Sequence, residues 1–120
     1  MKPHISATKF GSITIEGKKF NHDVFICLDG TVKKRKKKLS KEVYGTSHIL
    51  SLAEAEHIYE EGAERLIFGI GQSGMAKVSE EAMSFFSQKG CHIEAVPTPK
   101  SIEIWNKNSG AVIGLFHLTC

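Results

Sequence analysis

The sequence predicts an α/β domain in which a β-hairpin region precedes alternating helices and strands. Three observations carry this expectation. Leu66 to Gly69 is a short, wholly apolar run that passes into Gly69-Ile70-Gly71-Gln72-Ser73-Gly74, as a strand buried on both faces and ending in a loop would. Helical periodicity with caps lies on both sides of it, starting at Ser51 and at Ser79. Two further apolar runs, Cys91 to Val96 and Ala111 to Leu118, are separated by another helical stretch, which makes a βαβ unit.

At 120 residues, residues 1–120 are expected to form one domain, long enough to bury roughly two thirds of the unfolded surface. A hydrophobic content of 41% with 24% charged residues is ordinary for a globular protein. No apolar run approaches the ~20 residues that span a bilayer, so no membrane partner is expected. Met1-Lys2-Pro3-His4 has neither the apolar core of a secretory signal nor the character of a transit peptide, and a cytoplasmic location is the expectation. Three cysteines, Cys27, Cys91 and Cys120, without a CxxC pair, point to no disulfide framework and no metal site. Cys27 and Cys91 sit within apolar strand candidates and read as small buried hydrophobes.

The net charge of +3 conceals an asymmetry. Seven of the sixteen Lys and Arg residues fall between positions 33 and 41, where there is no acid, leaving nine bases against thirteen acids elsewhere. The positive character is one patch: Lys33, Lys34, Arg35, Lys36, Lys37 and Lys38.

Taken in order, Ile13 to Ile15 and Lys19-Phe20 flank Glu16-Gly17 as a hairpin. Val24 to Leu28 is the next strand, and Asp29-Gly30 predicts a type I′ turn into Thr31-Val32. The charged continuation cannot be buried, so it must be an edge or project into solvent. Leu39 to Leu50 is mixed, with Tyr44-Gly45-Thr46-Ser47-His48 an ordered loop. Ser51 and Glu54 form a capping box for a helix through Glu61, stopped by Gly62. Ser79 caps a helix carrying Glu80 and Glu81 in its first turn, with Ala82, Met83, Phe85 and Phe86 towards the sheet and Gly90 at its end. Thr98 reads as the cap and Pro99 as the first residue of a helix to about Lys107.

The glycines at 69, 71 and 74 have G-x-G-x-x-G spacing, but a dinucleotide fingerprint needs the glycines to open the helix directly. Here Met75-Ala76-Lys77-Val78 intervene before Ser79, which breaks that mechanism, and no cofactor is assigned. The loop still follows a strand end, where α/β sheets place ligand crevices, and Pro97-Thr98 ends the next strand in the same sense. Gly71, Gln72, Ser73, Gly74 and Thr98 are therefore candidates for holding a small anion on backbone amides. His48 and His117, with Cys120, supply the base and nucleophile types that hydrolase-like acyl chemistry would need, yet nothing in the order of residues brings them together. No residue is assigned as catalytic. The basic run could contact nucleic-acid phosphates, but it lacks interleaved aromatics and any recognition motif, so an unspecific solvated patch, or a surface for an acidic protein partner, is the better reading.

Several phrases together resemble a known family: Phe10-Gly11-Ser12-Ile13, Asp29-Gly30, Tyr44-Gly45-Thr46-Ser47-His48, Ile67-Phe68-Gly69-Ile70-Gly71, Pro97-Thr98, Trp105-Asn106 and Phe116-His117-Leu118-Thr119-Cys120. It is a small α/β family of archaea and bacteria that also includes the vertebrate adipogenesis-associated domain protein and mitochondrial complex I assembly factor three. The resemblance implies a compact three-layer domain around a central mixed sheet, with no established catalytic activity. It implies, for the mitochondrial branch, assembly through protein contacts. Arg35 stands where many bacterial and eukaryotic members carry tryptophan, so the chain resembles archaeal-type members. The resulting expectation is a non-enzymatic binding or assembly module.

Overall fold

The computed structural model describes residues 2–120. Its centre is a five-stranded mixed sheet built from β4 (Val24–Ile26), β5 (Val32–Lys34), β7 (Arg65–Ile70), β9 (His92–Val96) and β10 (Val112–His117). The strands lie in the order β5-β4-β10-β7-β9. β10 runs parallel to β7 and antiparallel to β4, and β9 is parallel to β7. β1 (Ile5–Lys9), β2 (Ser12–Ile15) and β3 (Lys18–Phe20) form a separate antiparallel sheet. β6 (Ile49–Leu50) and β8 (Lys77–Val78) make a short parallel ribbon.

Alternation along the strands divides the apolar residues between two cores. Leu66 and Phe68 of β7, with Ile113 and Leu115 of β10, face helices α2 (Leu52–Ile58) and α3 (Glu80–Gln88). Ile67, Val112 and Phe116 face the other way, towards α4 (Thr98–Lys107) and the small sheet, where Trp105, Ile5 and Ile13 are fully buried. Helices, central sheet, then helix with small sheet make the three layers. Glycine permits α4 to lie close: a Cβ on Gly114 would come within 2.9 Å of the Trp105 ring, and one on Gly69 within 2.8 Å of Ser101 Oγ.

The predicted caps form where the hydroxyls are. Ser51 Oγ accepts from the Glu54 amide, Ser79 Oγ accepts from the Ala82 amide, and Gly90 takes a left-handed φ of 70°. Other expectations are corrected. The turn with two residues of positive φ is Glu16-Gly17, at 50° and 78°, whereas at Asp29-Gly30 only the glycine has it. Gly30 N donates to Cys27 O and Cys27 N to Thr31 O, so three residues loop out, and the Asp29 carboxylate holds the Thr31 amide instead. Met83 is exposed, because Phe86 and Ala82 already fill the buried stripe of α3. Residues 39–44, read as mixed, belong to a short helix, α1 (Lys38–Tyr44), ended by left-handed Gly45. β1 carries no strand signal in the sequence. Its alternation is masked by Ser6, Ala7 and Thr8, and only Ile5 reaches the core.

Candidate functional site

Strand register builds the most charged part of the interior. Arg35 N donates to Asp23 O, extending the β5–β4 ladder by one row. The β4–β10 register, Phe116 opposite Val24, continues to place His117 beside Asp23. Three adjacent strand ends thus set Arg35, Asp23 and His117 in one row on the face covered by α1 and α2. Glu54, in the first turn of α2, closes the cluster from above. Arg35 Nε and Nη2 donate to the two Glu54 carboxylate oxygens at 2.6 and 2.9 Å, a bidentate pair. Arg35 Nη1 reaches Asp23 Oδ2 at 3.0 Å, and Nη2 also donates to Ser47 O at 2.9 Å. His117 Nδ1 donates to Asp23 Oδ2 at 2.7 Å, and Asp23 Oδ1 accepts from the Leu118 amide at 2.9 Å. Ser40 Oγ donates to Glu54 at 2.5 Å, tying α1 to the same carboxylate.

Burial works against ionisation of Asp23. The hydrogen bond and charge of His117, the Leu118 amide and Arg35 outweigh it and hold the carboxyl below its usual range. Burial likewise opposes the Arg35 cation, and Glu54 and Asp23 more than offset this, so the guanidinium stays charged.

This corrects the basic patch. Arg35 was expected among six solvated cations, and it is only 4% exposed, because two buried carboxylates claim its fork. The same geometry takes Glu54 out of the predicted capping box. Its side chain serves Arg35 and Ser40, while the Ser51 amide donates to Ser40 Oγ.

The glycine loop, Thr98 and the histidines do come together. β7 and β9 lead to helices on opposite faces of the sheet, the topology that opens a crevice beyond their carboxyl ends. In this protein the crevice is filled by the chain itself. Thr98 begins α4 one residue earlier than expected, with Pro97 in the cap position. Its buried hydroxyl accepts from the Gly71 amide at 2.9 Å and donates to His117 O at 2.5 Å. The Thr98 amide donates to Gly71 O, Gln72 N to Thr119 O, Gly74 N to Gly71 O and Met75 N to Cys120 O. Most amides that could have held an anion therefore hold main-chain carbonyls. The Gln72 side chain reaches Thr8 Oγ1 at 3.2 Å, and Ser73 is exposed beside it. The His48 ring meets His117 edge-on at 5.1 Å, and Thr119 Oγ1 lies 3.3 Å from His117 Nε2. The Asp23–His117–Thr119 chain has acid–base connectivity, but His117 is 2% exposed and the large clefts are walled by other residues.

Among the described residues no group of three His, Cys, Asp or Glu is placed to hold a metal ion, and no helix is long and apolar enough to cross a membrane. Cys120 is exposed, whereas burial pushes the Cys91 thiol up to about 11. Alkylation of native protein at neutral pH should modify Cys120 and spare Cys91 until denaturant is added, as peptide mapping would show. Early labelling of Cys91 would contradict its burial.

What the sequence did not foretell is the cleft beside the ribbon. It measures 360 Å³ and lies between the β4–β5 hairpin and the end of α2. Its floor is Phe25, Cys27 and Ile58, and its rim carries Lys33, Lys34 and Lys36. Glu60, also in its wall, is engaged, its carboxylate accepting from the Leu28 amide at 2.7 Å. The alternation of Phe25 with Lys33 across two strands was the only signal, and it becomes informative only once the register is known.

Fold and site define a three-layer α/β domain whose exposed cationic ribbon is anchored by a buried arginine. The chain belongs to the family described as protein of unknown function DUF498/DUF598, whose model matches residues 5–112. It is similar over its full length to the crystal structure of the conserved hypothetical archaeal protein PH1505 from Pyrococcus horikoshii OT3, with 30% identity, a TM-score of 0.91 and 100% of both chains covered. It also resembles a solved structure named MT938, with 29% identity, a TM-score of 0.85, and 99% and 100% of the two chains covered. The solution structure of a Bordetella pertussis protein described as a Mth938-like domain shares the fold at 15% identity, with a TM-score of 0.64 and coverage of 97% and 85%. These agree with the archaeal-type membership that the sequence phrases suggested.

Proposed function

We propose that the protein is a binding module that receives an acidic segment of a partner protein on the ribbon formed by Lys33, Lys34, Lys36, Lys37 and Lys38. The observation that supports this reading is the anchoring of Arg35. One guanidinium in the middle of the run is clamped by Glu54 and Asp23, so its neighbours project from a fixed frame, not from a mobile tail. Preorganised cations around an apolar floor suit a partner that offers carboxylates with apolar side chains between them. A phosphate backbone would use the lysines but leave the floor of Phe25 and Ile58 without a counterpart.

The test is a titration with a capped peptide of alternating glutamate and leucine, followed by amide chemical shifts. The shifts should centre on residues 32–38 and the end of α2. Changing Lys33, Lys34 and Lys36 together to serine should weaken binding by about tenfold or more at low salt, since surface charge–charge terms of about 0.5 kcal/mol each sum across the rim. Unaltered affinity in the triple variant, or displacement of the peptide by a single-stranded RNA at equal charge, would defeat the proposal.

A further inference from the structure

We infer that the acidic segment docks as an added strand on the outer edge of β5, a mode of binding that rests on the functional reading above. Among the described residues β5 is an edge of the central sheet, paired with β4 alone. The bonds Arg35 N to Asp23 O and Cys27 N to Thr31 O fix which rows of the hairpin exchange hydrogen bonds. Antiparallel pairs alternate, so rows 35/23, 33/25 and 31/27 are bonded, and the rows between them are not. Val32 and Lys34 therefore turn their N–H and C=O groups away from β4. Among the described residues these four groups have no hydrogen-bond partner within the chain. A segment laid along this edge finds two donors and two acceptors at the spacing of a strand.

The edge also selects its occupant. A second copy pairing edge to edge would bring Lys33 and Lys34 near their own equivalents, and like charges across a ladder are destabilising. An acidic residue laid opposite Lys34 turns that row into an opposite-charge pair. Lys33 lies directly across from Phe25, on the face where the 360 Å³ cleft opens, whereas the strand position of Lys34, across from Val24, belongs to the opposite face, although its long side chain also reaches the rim of that cleft. Alternation in the added strand then places one set of side chains over Phe25 and Ile58 and the other set beside Lys34. The segment that fits is extended and alternating, apolar towards the cleft and acidic towards Lys34. Arg35 is the device that holds the edge open. Drawn inward by Glu54, it ends the strand and keeps the chain from folding over Val32 and Lys34.

The probe is the alternating glutamate–leucine peptide in three forms: unmodified, N-methylated on the amides that would face β5, and N-methylated on the intervening amides. With the unmodified peptide, the Val32 and Lys34 amides should move downfield and exchange more slowly with deuterium. Methylation of the facing amides should weaken binding by about tenfold, as expected for two lost hydrogen bonds, and methylation of the others should leave it within about twofold. Equal binding of all three peptides without protection of Val32 and Lys34 would overturn strand addition, even where the lysine variant still loses affinity. Absence of binding by every peptide at low salt would overturn both strand addition and the functional reading beneath it.

Discussion

Replacing Arg35 with methionine should destabilise the fold by about 3–5 kcal/mol, the cost of leaving buried carboxylates without their cation. Glu54 is fully buried and Asp23 nearly so, and the guanidinium provides two bonds to the first and one to the second. Methionine fills much of the volume and carries none of the charge, so the loss reads out the unpaired acids and not a cavity. Urea unfolding followed by tryptophan fluorescence measures it, since Trp105 is the single tryptophan and is fully buried. A change below about 1 kcal/mol would show that the Arg35 pairs add little net stability to the cluster. The pH dependence gives a second reading of the same cluster. Asp23 is held below its usual range when folded, so the unfolded chain binds a proton more readily. The stability it contributes is complete above the unfolded value of about 3.9 and is lost as pH falls through the folded value. An Asp23→Asn variant should therefore show a flatter acid limb than the unaltered protein.

Gly71→Ala should be the second most damaging change, at about 2–4 kcal/mol, because strain and collision act together there. Gly71 has φ of 104°, a conformation strained for an L side chain by about 1–3 kcal/mol. Its Cβ would also collide with the main-chain carbonyl of Cys120 and come within 3.0 Å of Thr119 O. Residues 119–120 would have to lift, breaking the bonds from Gln72 N to Thr119 O and from Met75 N to Cys120 O, each worth about 1 kcal/mol. Chemical unfolding gives the magnitude, and the amide shifts of Gln72 and Met75 show whether the contact has gone. Gly74→Ala is the control: its nearest neighbour would be Pro97 at 3.3 Å, so the loss should be smaller despite a φ of 69°. Equal effects at the two positions would mean that strain alone, and not the closing of the crevice, explains Gly71.

Arg35 looked like one more cation in a solvated run because a neighbour-by-neighbour reading cannot see carboxylates 12 and 19 residues away. Glu54 looked like half of a capping box because the spacing from Ser51 is right, and the amide half of that box does form. Which partner its carboxylate takes is a competition, won by a bidentate buried guanidinium over a lone amide. α1 escaped notice for a related reason. Lysines at its start oppose the helix dipole, it has no side-chain cap, and it is held through Ser40, which bonds Glu54 and Ser51. The cluster that orders it was itself invisible.

By itself the sequence determined the elements that depend on local chemistry. The central strand, the caps at Ser51 and Ser79, the left-handed Gly90 and the glycine-bearing strand end all follow from side chains acting on backbone within a few residues. Only the tertiary structure decided what becomes of the glycine loop and the lysine run. Strand register set Arg35, Asp23 and His117 in one row, and sheet topology brought residues 118–120 over Gly71. Those two juxtapositions closed one expected site and stiffened another, because hydrogen bonds and charge pairing act through space at about 3 Å, whatever the distance along the chain.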